Sequence, residues 1–184
     1  MARRLRDILY ARPRILFVGI NPSLRSAAVG HHFAGRGNPF WRLLHAARFT
    51  PEPFGFEDDA RLAGLGFALT NLCPRPTRTA AGIPRDEMRR GCRTLLRKIE
   101  RLRPAIVAFV GVSVYRAFFG RTASGGAGPK PETVAGARVF VLPNPSGLNA
   151  SYPGFRDKLV WFERLQRFAG APRRRPAAGA GPAS

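Results

Sequence analysis

Two short stretches carry residues that could do chemistry. Asn21-Pro22-Ser23 follows an apolar run over 14–19, and Asn144-Pro145-Ser146 follows another over 138–142. Asn, Pro and Ser are ordinary turn residues, and a turn after a strand needs no further role. Two such triplets, reaching strand ends from opposite halves of the chain, are harder to leave at that. Their side chains offer hydrogen bonds rather than charge, and an asparagine amide is no strong base.

Other chemistries find little support. No GxGxxG lies between a strand and a helix, and no GxxxxGK[ST] occurs, which argues against a dinucleotide or P-loop site. Ser23, Ser113 and Ser146 stand outside any G-x-S-x-G. His31 and His32 could touch a ligand or phosphate, but two adjacent histidines do not make a metal cage. They are expected to be surface residues without a role, and His45 to be structural. Cys73 and Cys92 are the only cysteines. They are too few for a cysteine-only zinc or iron–sulfur site, and no metal is expected. Both are expected as reduced thiols.

The charge is lopsided. In 184 residues, 31 Lys and Arg face 11 Asp and Glu, a formal net of +20. Arginine dominates, and its planar fork of donors suits phosphates. Such a charge draws polyanions, although a compositional bias toward Arg, Ala, Gly and Pro accounts for the same excess. No apolar run approaches membrane-spanning length, and residues 1–14 lack a signal-peptide core. A cytoplasmic protein without a membrane partner is expected.

The elements that must position the two triplets can be read from periodicity. Strands are expected over 14–19, 67–72, 105–110 and 138–142, their continuous apolarity fitting burial on both faces. Helices are expected over 39–47 with Asn38 as N-cap, then 57–63, 85–102 and 113–119, and from 152 or 154 to 168. In the long helix Met88, Cys92, Leu95, Leu96 and Ile99 mark the buried face. Segments 21–37 and 120–132 read as loops. One domain is expected over 1–169, followed by a Pro/Gly/Arg-rich tail over 170–184. Alternating strands and helices predict an α/β protein, a three-layer sandwich around a mainly parallel sheet. Right-handed crossovers put the carboxyl ends of the strands, and so both triplets, on one edge where ligands bind.

The stretch Gly19-Ile20-Asn21-Pro22-Ser23 resembles the first motif of the mismatch-specific uracil/thymine DNA glycosylases, usually GINPG. Asn144-Pro145-Ser146-Gly147-Leu148 resembles their second, NPSGL. Between them Phe33-Ala34, Asn38, Phe40-Trp41, Thr70-Asn71-Leu72 and Arg75-Pro76-Thr77 follow the family in order, so the likeness covers roughly 12–168. It implies an α/β/α sandwich with a four-stranded parallel sheet in the order 2-1-3-4, and no cofactor. The implied activity is release of uracil, or another damaged pyrimidine, mispaired with guanine in double-stranded DNA. A monomer is expected.

By the same resemblance, Asn21 orients the hydrolytic water. Backbone amides near Ile20 and Ser23 would donate to the base carbonyls, Phe33 would stack on the flipped base, and Asn71 would meet it from the pocket wall. Asn144 stands where related uracil-specific enzymes carry a histidine; it can support the leaving oxygen by a hydrogen bond but not by a positive charge. Ser146 and Gly147 would bind a phosphate. Leu148 would be the wedge that fills the emptied stack, with Gly147 and Asn149 at the opposite guanine.

Two positions depart from the family. Ser23 replaces a common glycine, which predicts a tighter or differently wetted pocket. Ala150 stands where relatives often have arginine. A same-fold glycosylase for another deaminated base, and a catalytically silent binder of damaged DNA, are the alternatives.

Overall fold

The computed structural model describes residues 5–146 and 150–170. Leu148, expected as the wedge, with Gly147 and Asn149, expected at the opposite guanine, and all of the expected tail beyond Gly170 lie outside the described residues.

Five strands form one sheet: β1 (Ile15–Gly19), β2 (Phe67–Asn71), β3 (Ile106–Val110), β4 (Gly128–Val134) and β5 (Ala137–Leu142). Their order is β2-β1-β3-β5-β4. The four strands β2, β1, β3 and β5 run parallel, while β4 pairs antiparallel with β5. The expectation of a purely parallel four-stranded sheet is therefore corrected to a mixed five-stranded one. The extra strand lies in the segment expected to be a loop. Pro129 and Pro131 hid it, because a proline cannot donate to a sheet ladder. An edge strand tolerates that loss, and β4 has β5 alone as its neighbour. The hairpin between them turns at Ala135 and Gly136, with φ of +45° and +79°, as a tight two-residue turn of twisted strands requires.

Side chains along each strand alternate between two cores. Ile15 and Phe17 of β1 join a cluster with Phe40, Leu43 and Leu44 of α2 (Phe40–Ala46) and with Phe162 and Leu165 of α5 (Phe155–Gly170). Leu16 and Val18 point the other way, to Leu95 and Ile99 of α3 (Arg85–Leu102) and to Val114 and Tyr115 of α4 (Val112–Phe119). Two helical layers thus flank the sheet, and every residue of β1 is buried. On α3 the buried face is Gly91, Leu95, Ile99 and Leu102, with Met88 and Cys92 packed at its border. Leu96 is exposed, contrary to expectation. Gly91 explains how closely this helix approaches: a Cβ there would lie 2.5 Å from the Leu72 carbonyl oxygen.

Segment 21–37 is not all loop. A short helix, α1 (Leu24–Val29), begins directly after the first triplet. Ser23 caps it, its Oγ accepting from the Ser26 amide at 3.1 Å, and Gly30 ends it with φ +83°. Six residues are too few to show a two-turn apolar stripe, so the cap was the only local sign of it. The segment expected as a helix over 57–63 is a 3-10 helix, Phe56–Leu65.

Candidate active site

The carboxyl ends of β1, β2 and β5 bring the two triplets together. Asn21, Ile20 and Ser23 from the first, Asn144 and Ser146 from the second, and Phe33 and Asn71 all line one cleft of about 240 Å³. That is below the range of about 300–1,000 Å³ usual for drug-sized ligands and suits a single small ring.

Asn21 is fixed by its nitrogen. Nδ2 donates to Thr77 Oγ1 at 2.6 Å, to the Arg75 carbonyl at 3.0 Å and to the Pro22 carbonyl at 3.2 Å. Two of those partners are backbone carbonyls, which can only accept, so the amide must present its NH₂ to them. Among the described residues no protein donor reaches Oδ1. Thr77 Oγ1 in turn donates to the Thr79 carbonyl at 2.7 Å, which orients its lone pairs toward Asn21. The loop holding Thr77 is tied to the first triplet by its own backbone, Thr77 N donating to the Pro22 carbonyl at 3.3 Å.

Gly19 leaves room for Asn71. The two residues are register partners across β1 and β2, and a Cβ on Gly19 would lie 2.5 Å from Asn71 Oδ1. Phe33 also borders Gly19, its Cζ 3.8 Å from where a Cβ would stand, and its ring is stacked on Phe40 at 3.7 Å between centroids and 19° between planes. Its φ is +53°, a region that phenylalanine rarely occupies. The turn is held from both flanks. Before it, the buried Asp59 carboxylate accepts from the His32 amide at 2.9 Å and meets His31 Nδ1 at 3.1 Å. After it, the Ala34 amide donates to Ser26 Oγ at 3.1 Å, and Arg25 Nε donates to the Ala34 carbonyl at 2.8 Å.

Ser23 turns out to serve α1. Its hydroxyl is spent on the Ser26 amide and on Ser26 Oγ, and its φ of −68° does not ask for glycine. At the second triplet, Asn144 Oδ1 accepts from the Ser146 amide at 2.9 Å. A polar cleft beside the first shares Asn144 and Ser146 with it and extends over Ser113, Arg116 and Tyr152.

His32 is not a surface residue. It is buried, lines the cleft, and its Nε2 donates to the Arg6 carbonyl at 3.0 Å. Burial is the main cause that lowers its pKa, so it stays neutral near neutrality. His32 and Arg36 are the only ionisable side chains among the described residues lining the cleft. Among the described residues no carboxylate or lysine lines it. Lys98 is engaged by Asp7 and Thr70, Lys130 by the Ser124 carbonyl and Lys158 by the Pro153 carbonyl. No group of acidic, histidine or cysteine side chains among the described residues could hold a metal ion.

Three contributors escaped the sequence. Thr77 was visible only as part of Arg75-Pro76-Thr77, with nothing to tie it to Asn21. Pro39, not the expected Asn38, stands at the N-cap of α2; Asn38 Oδ1 accepts from the Phe40 amide at 3.0 Å, and the residue also lines the cleft. His32 gave no sign of burial.

The described lining of this sheet-edge cleft is made of neutral amides, a phenylalanine ring, backbone, one neutral imidazole and one guanidinium. The chain belongs to the Uracil DNA glycosylase superfamily, whose sequence pattern matches residues 7–166. Its fold is similar to the solution NMR structure of a candidate uracil DNA glycosylase from Methanosarcina acetivorans, at 21% identity and a TM-score of 0.54, over 90% of this chain and 98% of that one. No helix among the described residues is long and apolar enough to cross a membrane.

Proposed function

We propose that this protein is a monofunctional DNA glycosylase that hydrolyses the N-glycosidic bond of uracil mispaired with guanine in duplex DNA. The observation that carries the reading is the Asn21 amide. Three protein acceptors engage its nitrogen, which leaves Oδ1 to hold a water.

The reaction suits such a site. The C1′–N1 bond breaks with its electron pair going to the pyrimidine, which departs as a stabilised anion. A water oxygen then bonds to C1′ of an oxocarbenium-like sugar, and its proton is lost to solvent or to the departing base. Positioning and charge stabilisation, rather than a strong base, lower the barrier. Asn144 supports the leaving carbonyl oxygen through Nδ2. Backbone amides at Ile20 and Ser23 bind the other base carbonyl, Phe33 stacks on the ring, and Asn71 meets it from the wall. Ser146 holds a neighbouring phosphate. Gly147, Leu148 and Asn149 fill and read the emptied stack. Uracil is the favoured base because it has no 5-methyl group to accommodate. With no lysine among the described residues that line the cleft to form a Schiff base, an intact abasic strand is the product.

The test is base release from duplexes carrying uracil, thymine or hypoxanthine opposite guanine or adenine, before and after alkali. Release of uracil opposite guanine, with strand breakage only after alkali, is the expected result. Tight binding to the mismatch without release would leave a damage-binding protein. Preferential release of hypoxanthine would reassign the base.

A further inference from the structure

At the end of the sheet opposite the Asn21 cleft, three arginines meet. Arg12, Arg14 and Arg103 line a second, open cleft of about 780 Å³ beside the amino ends of β1 and β3, together with Glu100 and the Ala135–Gly136 turn. All three are exposed, and none takes part in an ion pair among the described residues. Three guanidinium groups against one carboxylate leave the walls with two net positive charges.

Two of these arginines occupy costly backbone. Arg12 has φ +55° and Arg103 φ +51°, a region where a non-glycine residue is strained. Both are pinned there. Arg12 N donates to the Leu102 carbonyl at 2.6 Å, and Arg103, the left-handed residue that ends α3, donates from its N to the Ile99 carbonyl at 2.8 Å. Glycine is the usual occupant of such a helix end. The chain instead places a guanidinium at each of two glycine-favouring positions in one cleft.

We propose that this cleft binds the phosphate backbone of a second DNA segment while the Asn21 cleft holds the first. Guanidinium groups are suited to phosphodiesters. The two clefts lie past opposite ends of β1, whose five residues rise about 16 Å. A short duplex, stiff over about 50 nm, cannot bend from one end of the sheet to the other, so the two clefts serve different segments. The protein can thus hold one segment while testing another. The inference shares only its partner, DNA, with the proposed function; it needs no base release.

The test uses the full-length protein bound to an immobilised duplex with an abasic site and then offered a fluorescent undamaged duplex. Wild type is expected to retain the second duplex, less so as salt rises. The variant R12G/R103G is expected to melt at or above the wild-type temperature, since glycine is at home at positive φ. It should release uracil at the wild-type rate yet retain the second duplex about tenfold less, with a salt slope shallower by about 2. Equal retention by the variant overturns the proposal, and so does a wild type that binds the first duplex but never the second. Failure on the second duplex alone leaves the glycosylase reading standing; failure on both, with no base released, removes the DNA reading too.

Discussion

Asn21 Nδ2 and Thr77 Oγ1 lie 2.6 Å apart, joining the end of β1 to a loop more than fifty residues further on. Thr77 Oγ1 joins the Arg75 and Pro22 carbonyls in holding the NH₂ end of the Asn21 amide. Thr77→Val is expected to slow uracil release about tenfold, equivalent to ~1.4 kcal/mol of barrier, with KM little changed. Thr77→Ser should restore most of the rate. Single-turnover kinetics on all three proteins decide it. A valine variant as fast as wild type would show that the two carbonyl partners suffice.

Gly19 tests the pocket by volume. In Gly19→Ala the new Cβ would stand 2.5 Å from Asn71 Oδ1, so the Asn71 side chain must leave its place. Base release should fall much more than thermal stability. Parallel activity and melting measurements check this, and a drop in stability with activity intact would place Asn71 outside the base pocket.

Ser23 tests whether its departure from the family's glycine is a matter of folding or of chemistry. Its hydroxyl caps α1. Ser23→Ala is expected to lose about 1 kcal/mol of stability, whereas Ser23→Gly should lose only a few tenths. Neither should change uracil release by more than about twofold, ~0.4 kcal/mol of barrier. Denaturant titration and activity assays read the two effects separately. A large change in activity would return Ser23 to the chemistry.

His32 gives the fold a pH signature. Its folded pKa lies below the ordinary value of 6.5, chiefly because it is buried. The unfolded chain therefore binds the proton first as pH falls. The contribution to stability is full above pH 6.5 and is lost as pH drops from there through the lowered folded value. His32→Gln, which keeps a donor for the Arg6 carbonyl, should flatten that part of the curve. Melting temperatures across the range check the sign, and an identical slope in the variant would assign the dependence to another group.

The strands, both triplets and the shared sheet edge were legible because continuous apolar runs ending in Gly or Pro leave few other readings. What escaped lay where local sequence opposes or underdetermines the fold. β4 carries Pro129 and Pro131, tolerated because β5 is its sole neighbour. α1 is too short to be periodic. Leu96 sits on the right helix but just outside the contact made by Leu95 and Ile99. In the site, Gly19, Asn21 and Asn144 could be found by motif. The partner that aims Asn21 could not, because Thr77 meets it only through the fold. Nor could the burial of His32, which depends on Asp59 and Arg6 arriving from distant segments.

The most direct test of the central claim is uracil release by Asn21→Ala from a duplex with uracil opposite guanine, measured in a single turnover beside binding to the abasic product. Loss of water positioning should cost about a hundredfold or more in rate, with product affinity within about twofold of wild type, ~0.4 kcal/mol. A variant that releases uracil as fast as wild type would contradict the assignment of Asn21 as the residue that holds the water.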